Sequence, residues 1–143
     1  MKDMKEQTQS EIKRSCPNYY QSNGIEVKNF IALNNLDFFL GNVVKYIARS
    51  GKKPGCSKQD DLLKAIHNLA FEIEDQNVNM YGLHPTDIYF EEIENFISAF
   101  EIGLFAGIAL RLIFYAKCAR SETTYTETLK TALIFLETEM QDF

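Results

Sequence analysis

Apolar residues recur at helical spacing through most of the chain, and one clear stretch is Leu40–Lys53, LGNVVKYIARSGKK. On a 3.6-residue helix Leu40, Val43, Val44 and Ile47 share one side, while Asn42, Lys45, Arg49, Lys52 and Lys53 share the other, with Tyr46 at the edge. The next segment places Leu62, Ala65, Ile66, Leu69 and Ile73 on an apolar face, opposite Asp60, Asp61, Lys64, His67, Asn68 and Phe71. Read along the whole chain, this pattern predicts helices over Ile25–Asn34, Leu36–Ser50, Gln59–Asp75, Asp87–Phe100, Ile102–Lys117 and Tyr125–Gln141. The expected class is all-α. Gly82 and Pro85 break the pattern between the third and fourth helices, with Thr86 or Asp87 as the next cap.

The helices fall into two sets that repeat. At an offset of 66, Asn29-Phe30-Ile31 falls on Asn95-Phe96-Ile97, Phe39 on Phe105, Gly41 on Gly107 and Lys45 on Arg111. Beyond Lys53 the offset is 67: Ser57-x-x-Asp60 falls on Thr124-x-x-Glu127, and Ala65, Leu69 and Glu72 fall on Ala132, Leu136 and Glu139. A hydroxyl three residues before a carboxylate is a helix-start signature, because each side chain satisfies a backbone N–H that the helix leaves unpaired. The expectation is a tandem pair of three-helix repeats, 17–76 and 86–143, packed as a pseudo-two-fold helical bundle in one domain. Residues 1–16 read as a loosely packed arm.

Composition narrows the partners. The 143 residues suit one domain. Residues 1–75 hold 11 Lys+Arg against 10 Asp+Glu, and residues 76–143 hold 4 against 10, so the formal net charge of −5 comes from the second half. A broad basic face for duplex nucleic acid is therefore not expected. Cys16, Cys56 and Cys118 form no CxxC, and with His67 and His84 they make no zinc pattern, which suits reduced thiols in a cytoplasm. The N-terminus has the charge but not the apolar core of a signal peptide. The apolar run Ile97–Ala116 is interrupted by Glu101 and Arg111, and the expectation is a buried core helix rather than a membrane span.

Against that acidic background, Leu40–Lys53 carries four cations and no carboxylate. Like charges at i,i+4 repel by tenths of a kcal/mol, roughly, unless an anion lies between them. If the second and third helices pack antiparallel, Lys45 and Arg49 border Lys64, His67 and Asn68. Lys45, Arg49, Lys52 and Lys53 would then grip phosphate, while Asn42, Tyr46 and Asn68 shape the pocket and Asp61 orients a lysine or a metal. Asp60 and Asp61 have two readings, a Mg²⁺ ligand pair or an acidic first helical turn. His67 is a weak general-base candidate, and His84 reads as a turn residue. At the matching places of the second repeat stand Ile108, Tyr115, Cys118 and Ala119, so the polar stripe belongs to the first repeat alone. No P-loop and no GxSxG motif is present.

LGNVVKYIARSGKK followed by DDLLKAIHNL resembles a family of small phage-encoded domains. The family pattern begins Pro-x-His-Tyr, continues Gly-Asn-x-x-Lys-Tyr-x-x-Arg-x-Gly-Lys-Lys and ends Asp-Leu-x-Lys-Ala. That family includes a phage nucleotide kinase without a P-loop, acting on deoxynucleoside monophosphates. The resemblance runs from Pro17 to about Glu74 and implies roles for Gly41, Asn42, Lys45, Tyr46, Arg49, Gly51, Lys53, Asp61, Lys64 and Ala65. Tyr19 stands where the family usually has His, and Asn29 where an acidic residue is common, so binding is implied more strongly than turnover. Three functions stay open: a nucleotide-binding, kinase-like protein of phage or prophage type, using Mg²⁺ if it turns nucleotide over; a helical assembly protein that dimerises through the apolar Phe100–Phe114 stripe; or a non-enzymatic inhibitor. The inhibitor would sequester a nucleotide signal, or block a host defence protein through the acidic second half. A homo-oligomer is compatible with all three.

Overall fold

The computed structural model describes residues 17–75 and 81–141. The expected arm over 1–16 lies outside the described residues, as does the stretch 76–80 before Gly82. Six α-helices are present among the described residues: α1 Val27–Leu33, α2 Phe38–Arg49, α3 Lys58–Glu74, α4 Phe90–Ala99, α5 Leu104–Ala116 and α6 Glu122–Gln141. The expected all-α class is correct, with one small addition.

That addition precedes α1. Gln21–Ser22 (β1) pairs antiparallel with Ile25–Glu26 (β2), closed by Asn23 and Gly24 at φ 50° and 78°. Both turn residues are left-handed, as a two-residue hairpin loop requires, so Ile25 is a strand residue and the first helix starts later than the spacing suggests. A 3-10 turn, Asn18–Tyr20, leads into the hairpin.

The helix ends follow local chemistry. Asp37 caps α2, its carboxylate accepting from Leu40 N at 2.8 Å. Ser57 and Asp60 form the expected reciprocal capping box at α3. The counterpart does not form at Thr124. Ser121 Oγ accepts from Thr124 N at 3.1 Å instead, and α6 starts three residues before Tyr125. An earlier hydroxyl was available, and it extends the helix by about one turn. Neither Thr86 nor Asp87 caps a helix: both lie in the 3-10 turn Pro85–Asp87, where His84 accepts from Thr86 N at 3.2 Å.

The turns after α1 and α4 share one backbone geometry. After α1, Asn34, Asn35 and Leu36 donate their N–H groups to Phe30, Ala32 and Ile31; after α4, Phe100, Glu101 and Ile102 donate to Phe96, Ser98 and Ile97. The left-handed residue is Asn35 (φ 50°) in the first turn and Glu101 (φ 51°) in the second. A Cβ added at Gly41 would lie 3.2 Å from Ile31 Cγ2, so this glycine admits the preceding helix closely; one at Gly107 would lie 3.5 Å from Ile97 Cγ2, an ordinary contact.

The halves meet along α3 and α6 and through Phe30 and Phe96, whose rings stack at 4.0 Å. Leu40, Val43, Leu69, Leu129 and Leu136 are fully buried in the shared core. Across the seam Tyr125 donates to Glu72 at 2.8 Å, and Lys58 lies 3.8 Å from Glu139. Lys52 reaches the last-turn carbonyl region of α4 at Phe100 O, and Lys117 reaches the corresponding place after α1 at Asn34 O. Ile97–Ala116 is split between α4, the Glu101 turn and α5, and no helix among the described residues is long and apolar enough to cross a membrane.

Candidate functional site

The site candidate sits where α2 and α3 run antiparallel. Asn42 Nδ2 donates to Asn68 Oδ1 at 3.3 Å at one end of the contact, and Arg49 meets Asp61 at the other. Asn68 also donates to Lys64 O at 2.8 Å, which holds its oxygen toward Asn42. The register follows from the apolar faces: Leu40, Val43, Ile47, Ala65 and Leu69 share one core cluster and turn the polar edges of both helices to the same side.

Arg49 is buried rather than presented to a ligand. Its Nε and Nη2 donate to Asp61 Oδ1 at 3.1 and 2.6 Å, and its Nη1 donates to Tyr20 OH at 3.0 Å. Arg49 and Asp61 are 4% and 0% exposed, which makes this an internal ion pair. Burial alone would lower the guanidinium pKa, but the hydrogen bonds it donates to Asp61 and Tyr20, with their charge interactions, outweigh it and leave it raised. Asp60 is held in the capping box, so the two neighbouring carboxylates serve different partners. Among the described residues no group of three or more His, Cys, Asp or Glu side chains converges as a metal would need.

Tyr46 is the centre of what remains. Its ring carries Arg49 Cζ at 4.8 Å, Lys45 Nζ at 5.3 Å and Lys64 Nζ at 5.6 Å. Each ammonium gains about 0.5–1 kcal/mol from the ring face at an exposed site. Lys45 also lies 5.8 Å from the Tyr20 ring. Arg49 has its carboxylate; Lys45 and Lys64, on different helices, have none among the described residues. Tyr20 was not singled out from the sequence, although it closes the Pro17-Asn18-Tyr19-Tyr20 stretch.

The other candidates are placed apart. Lys52 bends across the α2 terminus to Ala48 O and Phe100 O, and desolvation lowers its pKa. Lys53 is half-buried in the following loop, and His67 is exposed with no bond to the cluster among the described residues. Beside Tyr20 opens a cleft of about 540 Å³, lined by Asn18, Tyr19, Lys52 and Pro54. A smaller hollow of about 280 Å³ includes Glu26 and Glu92 and so suits an anion poorly.

The matching face of the second half is neutralised. Arg111, at the Lys45 position, forks onto Glu94 at 2.5 and 2.8 Å, which holds the Glu94 pKa below and the Arg111 pKa above their ordinary values. Tyr115, at the Arg49 position, is exposed beside Phe90 at 5.2 Å.

Residues 15–70 match DUF3310, a protein family of unknown function. The match spans the Asn18–Tyr20 turn, α1, α2 and most of α3, and therefore the whole cluster from Tyr20 to Asn68. The second half lies outside it. No curated protein and no solved structure matches the chain.

Proposed function

We propose that the first half binds a phosphate compound, a nucleotide in the favoured reading, between the ammonium groups of Lys45 and Lys64. The observation that carries this is their placement: two cations without carboxylates, drawn from separate helices to one Tyr46 ring in an acidic protein. Keeping like charges together costs electrostatic free energy unless an anion joins them. Asn42 and Asn68 offer amide donors and acceptors beside the pair. Arg49 and Asp61 support the site from beneath by holding Tyr20 and α3 against α2. Their ion pair joins the two helices beneath the Tyr46 ring.

The resemblance to a phage kinase family extends the proposal to a cytoplasmic protein of phage or prophage origin. Phosphoryl transfer with Mg²⁺ is its furthest extension. We further propose that the two halves are copies of one unit related by a pseudo-two-fold axis, the first keeping the site and the second serving as its structural partner. Reciprocal contacts favour this: Glu72 with Tyr125 answers Glu139 with Lys58, and Phe30 stacks on Phe96.

The test is isothermal titration of the full chain with nucleoside mono- and triphosphates and with tripolyphosphate, with and without Mg²⁺. A Lys45→Ala/Lys64→Ala variant should lose at least about 10-fold in affinity, since each charge-assisted contact contributes about 1.5–3 kcal/mol. Its stability should change little, because both side chains reach solvent. Undiminished binding in that variant removes the site.

One observation favours the second reading, a non-enzymatic inhibitor that docks on a host protein. The second-half face is apolar, with Leu104 and Tyr115 exposed, and is bordered by the exposed carboxylates of Glu91, Glu92 and Glu94 on α4. Absence of binding to every phosphate compound, together with capture of a basic host protein that Glu91→Lys/Glu92→Lys abolishes, would favour it instead.

A further inference from the structure

We propose that the cleft between the Asn18–Tyr20 turn and the Lys52–Pro54 loop receives a flat heterocyclic ring, stacked on Tyr19, from the ligand whose phosphate lies at Lys45 and Lys64. This rests on the phosphate reading and assigns a separate part of the ligand to a separate part of the surface.

The cleft, about 540 Å³, falls within the size range of small-molecule sites. Its lining suits a ring better than an anion. Tyr19 supplies an aromatic face, Pro54 a flat apolar edge and Asn18 an amide that both donates and accepts. Lys52 contributes its aliphatic stem, because its ammonium is bound at Ala48 O and Phe100 O. The loop wall is shaped by Gly51 and Gly55, both left-handed at φ 77° and 82°. At Gly51 an added Cβ would also meet Lys58 Cβ at 3.5 Å.

Continuity with the cations runs through Tyr20. Its ring meets Lys45 Nζ at 5.8 Å and the Tyr19 ring at 4.6 Å, edge to face. A ligand with phosphate at Lys45 and a ring on Tyr19 need therefore span little more than Tyr20 itself. Arg49 fixes Tyr20 by its hydroxyl, so the spacing between the two subsites is set by the buried ion pair.

The ring proposal separates from the phosphate proposal by its probes. Titrations use the tightest-binding nucleotide of a panel of the common ribo- and deoxyribonucleotides, its nucleoside, and tripolyphosphate. Tyr19→Ala should weaken the nucleotide about 10-fold or more while leaving tripolyphosphate within about two-fold, and Tyr19→Phe should restore the nucleotide. The chain has no tryptophan, so Tyr19→Trp adds a single fluorophore, whose emission the nucleotide should quench and tripolyphosphate should not. Equal affinity for nucleotide and tripolyphosphate, both dependent on Lys45 and Lys64, overturns the ring subsite and keeps the phosphate site. Equal loss of both ligands in Tyr19→Ala also overturns it. Failure of nucleotide, nucleoside and tripolyphosphate alike overturns both readings.

Discussion

Arg49 shows how a side chain's role depends on its neighbour. On an isolated helix it belongs to a cationic stripe; in the folded protein it lies over Tyr46 with Asp61 and Tyr20 filling its donors. Asp61 Oδ2 is buried and has no hydrogen-bond partner among the described residues, so this carboxylate depends on Arg49 for compensation. Removing Arg49 would leave a buried charge unpaired, and Arg49→Ala should lower stability by about 3–5 kcal/mol. Urea unfolding at neutral pH measures this. A loss below about 1 kcal/mol would mean that water reaches Asp61 and that the pair is a surface one. Lys45 and Lys64 should behave oppositely, mattering for ligand rather than for fold.

At the scale of elements, α2, α3 and α6 meet around the buried Glu72 and the half-buried Asp37. Asp37 caps α2, Glu72 comes from the last turns of α3 and Tyr125 from the first turns of α6. Burial chiefly, then the neighbouring Asp37 carboxylate, pushes the Glu72 pKa from 4.5 up to about 8, against a smaller lowering by the Tyr125 hydrogen bond. Asp37 and Asp75 add negative potential at Glu72, and Lys117 faces Asp37. The proton is thus held more tightly in the folded chain than in the unfolded one. The stability it contributes is complete below about pH 4.5 and is lost as pH rises through about 8. Unfolding midpoints measured between pH 5 and 9 should fall with pH, and Glu72→Gln should flatten that slope. An unchanged slope in the variant would show that Glu72 does not carry the proton. In the second half Gly103 stands in the Asp37 position, and any Cβ there would overlap the Glu139 carboxylate. The two junctions therefore solve the same helix start differently.

Over the whole molecule, the matched turns, the matched glycines and the reciprocal contacts favour a pair of units facing each other. An experimental structure in which residues 27–74 superpose on 93–141 by a half-turn is the expected outcome. A translation, or a rotation far from a half-turn, would exclude the pseudo-two-fold arrangement while leaving the local repeats intact. The arrangement bears on function because Lys52 of the first half holds Phe100 O of the second, and the Lys52 stem walls the cleft beside Tyr19.

The amino-acid sequence by itself determined the helices, the offset of 66 between their two sets, the Ser57 capping box and the stripe that contains Lys45. These are local properties, set by side-chain spacing on a helix and by the hydroxyl or carboxylate nearest its end. Asn23-Gly24 is a tight-turn signal as well, but the helical spacing that follows from Ile25 masks it, and the hairpin emerged only in the fold. Ser121 displaced Thr124 because several hydroxyls in a row give equivalent local starts, and only packing chooses between them. Tertiary structure alone decided which cations stay unpaired. That choice depends on which carboxylate a neighbouring helix brings within reach: Asp61 reaches Arg49, Glu94 reaches Arg111, and none among the described residues reaches Lys45 or Lys64. Spacing along one helix sets where a charge can point, and the packing of two helices sets what it meets.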